Sequence, residues 1–219
     1  MKKFKLFRHD SEYYRIYEKR RETPLEEIPS FKWMRDTLAL KEGERFLDAG
    51  CGEGGLVRFL CVSSGAKGTG VDSSEAALAL ARAQKASCAC EFIGADLCAL
   101  PFKDGEFDKI ACFNVIEHIV DQQKAMRELL RVLKPGGVAV FGTNIKDSLS
   151  WRIYQLVIGE HTHTHEFYYG EFVAFVARFF SVGAHARTSG VFRAPRPLRW
   201  IFHNVLKGDV MVRAAKPAA

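Results

Sequence analysis

The chain has 219 residues, 47% of them hydrophobic and 26% charged, a balance that excludes intrinsic disorder and fits one globular domain with a sizeable core. No apolar run approaches the roughly 20 residues needed to span a bilayer, and the basic start Met1-Lys-Lys-Phe-Lys5 leads into no apolar signal core, so a cytoplasmic protein is expected. The net charge of +6 is uneven: residues 1–21 carry +5, residues 183–219 carry +6 and the remainder −5, so basic ends that attract phosphates, or are simply solvated, flank an acidic middle.

Residues 1–45 read as an N-terminal helical cover. Tyr13, Tyr14, Ile16 and Tyr17 suggest a helix with an aromatic face, interrupted by Pro24 and Pro29. Phe31 to Leu40 reads as a second helix with Phe31, Met34 and Leu38 on one side and Ser30 as its N-cap. After the turn Lys41–Glu44 comes the stretch around which the chain is organised, Arg45 to Gly55. The short apolar strand Phe46-Leu47 breaks into a turn with glycines at 50, 52, 54 and 55, and a helix over Gly54–Val62 follows. Glycines there permit backbone angles and close approaches that side chains forbid, and such a turn exposes main-chain N–H groups near a helix N-terminus to a ligand.

Lys67–Asp72 is the second expected strand. Ser73 and Ser74 are cap residues for a helix over Ser73–Gln84, which is rich in helix formers. Cys90–Asp96 and Phe107–Phe113 are strands three and four, the latter introduced by the turn Lys103–Glu106. Asp121–Leu133 repeats Ala125, Met126, Leu129, Leu130 and Leu133 at helical spacing. Lys134-Pro-Gly-Gly137 stops it, and Val138–Gly142 is strand five. A short helix over Trp151–Ile158, the run His161-Thr-His-Thr-His165, an apolar helix over Phe167–Phe180 and a strand over Ser181–Val191 are expected next. An apolar helical stripe through Leu198, Ile201, Phe202, Val205 and Leu206, stopped by Gly208, precedes a final strand over Asp209–Ala215.

Alternating strand and helix predicts an α/β fold: a Rossmann-like doubly wound, mostly parallel seven-stranded sheet with helices on both faces. Ligands in such sheets sit beyond the carboxyl ends of the strands, which puts Asp48, Asp72, Asp96 and Asn114 on one rim. Gly50, Gly52 and Gly55 also satisfy the G-x-G-x-x-G pattern of dinucleotide-binding proteins, with Asp72 near the spacing of their ribose-binding acid, so glycines alone leave two readings open. The six cysteines, at 51, 61, 88, 90, 98 and 112, match no common zinc spacing and read as reduced thiols.

Taken together, Phe46-Leu-Asp-Ala-Gly-Cys-Gly-Glu-Gly54, Gly70-Val-Asp72, Ala95-Asp-Leu97, Phe107-Asp108, Asn114-Val-Ile-Glu-His118 and Leu133-Lys-Pro-Gly-Gly137 resemble the class I S-adenosylmethionine-dependent methyltransferases. The branch they resemble most includes quinone-biosynthesis and other small-molecule enzymes. The match covers roughly residues 45–145, the expected cofactor-binding core; Asp48 and the Lys-Pro-Gly-Gly turn favour it over a nicotinamide protein. The resemblance implies S-adenosyl-L-methionine as cofactor. It places Gly50, Cys51, Gly52 and Gly54 at the methionine part, with Asp48 near its ammonium. Asp72 and Ser73 fall at the ribose, Asp96 and Leu97 at adenine, and Asn114 near the methionine end.

The resemblance also implies a methyl acceptor, expected to be a small molecule, hydrophobic or anionic in character. RNA or protein acceptors, and cofactor binding without turnover, are the alternatives. A base is needed only if the acceptor must lose a proton, and His118, His161, His163 and His165 are the candidates. In an extended segment the last three would share one side, which also suits a metal, but acceptor binding or a plain loop is preferred, and no metal is expected. Residues 146–219 form the expected acceptor-side region. Within it, 191–208 reads as an insertion whose apolar stripe and Arg193, Arg196, Arg199 and Lys207 suit a lid, a membrane surface or ordinary packing. No RNA-binding module is visible.

Overall fold

The computed structural model describes residues 24–85, 87–147, 165–188 and 208–217. Its strands are β1 (Arg45–Ala49), β2 (Lys67–Asp72), β3 (Cys90–Gly94), β4 (Phe107–Phe113), β5 (Leu133–Asn144), β6 (Ser181–Thr188) and β7 (Asp209–Ala215). They form one sheet in the order β3-β2-β1-β4-β5-β7-β6. The five strands β1 to β5 pair in parallel, whereas β7 lies antiparallel between β5 and β6. The expected doubly wound sheet is present, and its one reversal comes from β7.

Strands covered on both faces are apolar throughout. Phe46, Leu47 and Ala49 of β1 and Val210, Met211, Val212 and Ala214 of β7 are completely buried. Among the described residues five helices supply the cover: α1 (Pro29–Leu38), α2 (Gly55–Ser64), α3 (Glu75–Ala83), α4 (Gln122–Val132) and α5 (Tyr169–Ala177). One core joins α4 and α5 to the sheet through Met126, Leu129, Phe141, Phe172, Val176 and Val212. A second, on the opposite face, joins α1 and α2 through Phe31, Met34, Leu38, Val57, Leu60 and Met211.

Side-chain caps set the starts of α3 and α4. The Ser74 hydroxyl accepts the Ala77 N–H, and Asp121 Oδ1 accepts the Lys124 N–H at 3.0 Å. The expected cap at Ser30 is not formed. Pro29 takes the first helical position, where its fixed φ suits the turn, so Ile28 becomes the N-cap and the Ser30 hydroxyl is buried with no partner among the described residues. That helix also stops at Leu38 instead of Leu40, because Ala39 turns left-handed at φ 43°.

Strand five begins earlier than the turn signal suggested. The Gly136 N–H donates to the Lys216 carbonyl and the Lys216 N–H to that of Gly137, which draws the Pro-Gly-Gly turn into the sheet. The apolar helix after the histidines is shorter than Phe167–Phe180, since Phe167 bridges to Ile145 before Tyr169 starts the helix. The expected helices around Tyr13 and over Trp151–Ile158, His161 and His163, the end of strand six past residue 188, and the segment 191–207 lie outside the described residues. Among the described residues no helix is long and apolar enough to cross a membrane.

Candidate cofactor and acceptor site

The loop after β1 is tied down twice. The N–H groups of Gly50 and Cys51 both donate to the Val71 carbonyl at 2.8 Å, and the Gly52 N–H donates to Asp72 Oδ2 at 2.8 Å. Gly50, Gly52 and Gly54 have φ of 84°, 52° and 76°, the left-handed region that glycine enters without a Cβ penalty. At Gly50 a Cβ would also stand 2.2 Å from Val115 Cγ2, so the loop after β4 closes directly against the glycine turn. Arg58, which the sequence reading did not single out, clamps the far side. Its Nη2 donates to the Glu53 carbonyl at 2.6 Å and to Gln84 Oε1 at 2.7 Å, and its guanidinium lies over the Phe92 ring.

Asp72 ends β2 with both carboxylate oxygens oriented: Oδ1 accepts the Ser74 N–H at 2.8 Å and Oδ2 the Gly52 N–H. Each oxygen retains acceptor capacity, because a carboxylate offers about four lone-pair sites. A ribose diol fits that remaining capacity. Ser73, beside it, is exposed. The β2 end is joined to the β3 end by Ala95 N–H to the Asp72 carbonyl. Beyond it Asp96 is exposed, with Oδ1 accepting the Cys98 N–H at 2.8 Å, and Leu97 is buried at 6% exposure. A carboxylate beside an apolar wall is what adenine recognition requires.

Asp48 is 3% exposed, and burial first, then the Asp72 charge, pushes its carboxyl up to about 8. A cationic ligand would reverse that effect, so the site suits the ammonium of an amino acid. The Cys51 thiol donates to the Gly52 carbonyl at 3.6 Å. Its sulfur packs against Gly70, 2.8 Å from where a Cβ would stand, and burial pushes its thiol far up, with Asp48 and Asp72 adding to it.

The other half of the rim follows β4. Asn114 is left-handed at φ 56°, its N–H donates to the Gly142 carbonyl, and its Oδ1 accepts from Asn144 Nδ2 at 3.5 Å. Asparagine tolerates that region better than most residues. A 3-10 turn, Ile116–His118, comes next and leaves His118 half-buried. Glu117 is 1% exposed; burial raises its carboxyl to about 7, against the lowering effect of bonds from its own N–H and the Thr143 side chain. The His165 N–H donates to the Glu117 carbonyl at 3.1 Å, so the structure brings His165 beside the His118 turn. The His165 ring is exposed and meets Phe167 edge-on.

Two features of this half escaped the sequence reading. Asp209, opening β7, is 2% exposed, and burial, then Glu117, raises it to about 8. A cleft of about 430 Å³, lined by Val120, Gln122, His165, Phe167, Phe175 and Arg178 among others, lies between the start of α4 and the side of α5. It contains His165 but none of the cofactor candidates. Among the described residues no group of three potential ligands is arranged to hold a metal.

Residues 47–141 match a family described as a methyltransferase domain. A malonyl-[acyl-carrier protein] O-methyltransferase of Enterobacter lignolyticus is 38% identical over 59% of this chain and 51% of its own length. A ubiquinone biosynthesis O-methyltransferase of Alkalilimnicola ehrlichii is 34% identical over 55% of this chain and 50% of its own. The chain thus spans about half the length of these curated relatives. Among solved structures, an S-adenosylmethionine dependent methyltransferase from Mesorhizobium loti superposes with a TM-score of 0.69 at 20% identity, covering 89% of this chain and 99% of that one, a likeness of fold.

Proposed function

We propose, from the match of residues 47–141 to a family described as a methyltransferase domain, that the protein binds S-adenosyl-L-methionine and transfers its methyl group to a small-molecule acceptor. The observation that carries this reading is the junction of the glycine loop with Asp72 at the carboxyl ends of β1 and β2, with buried Asp48 beside it. In this reading Gly50, Gly52 and Gly54 let the main chain approach the methionine part, Asp48 takes its ammonium and Asp72 the ribose. Asp96 and Leu97 take the adenine, Ser73 stands at the ribose edge, and Asn114 closes the methionine end.

When bound, the cofactor supplies an electrophilic methyl on a sulfonium. This chain's part is to align the acceptor's nucleophilic atom behind that methyl, and positioning of this kind supplies much of the rate enhancement. Where the acceptor must lose a proton, His118 and His165 are the described candidates, on adjoining segments of one rim. His161 and His163 belong to the same proposal from their sequence position alone. The names of the relatives, both O-methyltransferases, support a hydroxyl or carboxyl as the methylated group. The anionic or hydrophobic acceptor expected from residues 191–208 rests on sequence alone. We read residues 1–219 as one domain acting in the cytoplasm, in keeping with six free cysteines.

Isothermal titration with S-adenosylmethionine, its demethylated product and NAD tests the cofactor; transfer of labelled methyl to a panel of small acceptors, RNA and protein tests the activity. Tight NAD binding without S-adenosylmethionine binding overturns the first. Cofactor binding with no transfer to any class leaves a noncatalytic binding protein, and transfer to RNA or protein alone moves the acceptor class.

A further inference from the structure

Four polar side chains stand in a row along the rim where β5 and β6 end and β7 begins. Antiparallel register pairs Asp209 with Asn144 on one side and with Thr188 on the other. Directly paired residues in such ladders share a face of the sheet, so all three project to the same side. That side is the one carrying Met211 and α1, since Met211 lies two residues beyond Asp209 and packs in the α1 core. Asn144 then hands the row on to Asn114 through the 3.5 Å bond between their side chains. The row therefore begins beside the glycine loop and runs outward across three strands.

Its outer end lacks hydrogen-bond partners among the described residues. Asp209 is 2% exposed with Oδ2 unbonded, and Thr188 is 7% exposed with Oγ1 unbonded. Buried polar atoms of this kind are rare in native proteins and call for an explanation such as a bound group. Glu117, also buried, adds a second carboxyl close enough to act on Asp209. An apolar group leaves both oxygens unpaired. A cation with several N–H donors satisfies both and offsets the repulsion between the carboxyls.

We propose that Asp209 and Thr188 are the acceptor-recognising pair of this site, and that the acceptor carries a protonated amine which donates to Asp209 Oδ2 and Thr188 Oγ1. The amine is a handle that orients the acceptor along the row toward Asn114; the atom methylated lies elsewhere on the molecule. This inference rests on the methyl-transfer reading given above. It departs from the anionic acceptor suggested by the basic residues near the C-terminus.

The test has two arms. The first needs no acceptor: melting temperatures of full-length Thr188→Val and Asp209→Asn. Atoms reserved for a ligand are not holding the fold together, so both variants should melt at or above the wild-type temperature. A fall of more than about 5 °C in either one, which for a chain of this size signals lost structural bonds, overturns the inference whatever happens to turnover. The second arm incubates wild type and variants with labelled S-adenosylmethionine and a deproteinised extract, resolves the labelled products chromatographically from the unreacted cofactor, itself a cation, and then sorts them by charge on ion exchangers at neutral pH. The expected label is in the cation-retained fraction, reduced at least tenfold by Asp209→Asn, with affinity for S-adenosylmethionine changed less than twofold. Label confined to neutral or anionic products, or undiminished in Asp209→Asn, overturns it. No labelled product at all, with the cofactor bound, is a failure of the transferase reading itself and takes this inference with it.

Discussion

Asp72 Oδ2 accepts the Gly52 N–H at 2.8 Å, joining residues 20 positions apart in the chain. The bond makes one carboxylate serve two purposes: it fixes the loop after β1 and keeps acceptor capacity facing the rim. Asp72→Ala should therefore weaken S-adenosylmethionine binding by more than the loss of ribose contacts alone, because the loop also loses its anchor. A cost of about 1–3 kcal/mol is expected, roughly five- to 150-fold in Kd. Calorimetry beside circular dichroism checks it; unchanged affinity in a folded variant removes Asp72 from the site.

Gly50→Ala should abolish cofactor binding while leaving the sheet intact. The φ of 84° costs a residue with a Cβ roughly 1–2 kcal/mol, and that Cβ would stand 2.2 Å from Val115 Cγ2. Adding Val115→Ala removes the two Cγ clashes but leaves the Val115 Cβ at 3.0 Å and the backbone cost, so the double variant should recover only part of the affinity. Full recovery would show that the backbone angle is unimportant.

The pH dependence has a definite sign. Asp48 and Asp209 are raised to about 8 and Glu117 to about 7. Between the ordinary carboxyl range near pH 4 and these values the folded chain binds more protons than the unfolded one. Stability therefore falls as pH rises through that window. The melting temperature of the cofactor-free protein should decline from about pH 5 to pH 8, and Asp48→Asn should shallow the decline. Because the ammonium favours ionised Asp48, affinity for S-adenosylmethionine should rise over pH 6–8 in the wild type and stay flatter in Asp48→Asn. A wild-type affinity that falls over this range contradicts the assignment.

Arg131 holds the loop that follows the adenine-side residues. It donates to the carbonyls of Leu100 and Phe102 at 3.0 and 2.7 Å, and to Glu128 and Asp104. The pair with Asp104 is exposed and contributes little. The backbone bonds are the reason to expect Arg131→Ala to cost about 2 kcal/mol in urea unfolding. Lysine cannot reproduce the fork, so Arg131→Lys should recover less than half of that loss, whereas Asp104→Ala should be near neutral.

Much of the fold was legible locally. The strands Lys67–Asp72, Phe107–Phe113 and Asp209–Ala215 have the bounds that their apolar runs and turn residues predicted. The helix expected from Asp121 begins one residue later, with Asp121 as its cap, and Gly50, Gly52 and Gly54 take the left-handed angles that make a glycine turn. These are properties of windows of a few residues, where period, capping and turn chemistry act between near neighbours. The same windows could not foresee that Pro29 would displace Ser30 from the cap, or that Cys51 would pack on Gly70.

By itself, then, the sequence determined the alternation of strands and helices and the rim on which Asp48, Asp72, Asp96 and Asn114 stand. Only the tertiary structure inserted β7 antiparallel between β5 and β6, and so placed Asp209 opposite Asn144 and Thr188 and near Glu117. Arg58 bridging Glu53 to Gln84 and Phe92 belongs to the same class. The physical reason is that strand order and burial depend on which distant apolar faces cover one another. The environment of a buried carboxyl is set by groups remote in the chain, which leave no periodic trace around it.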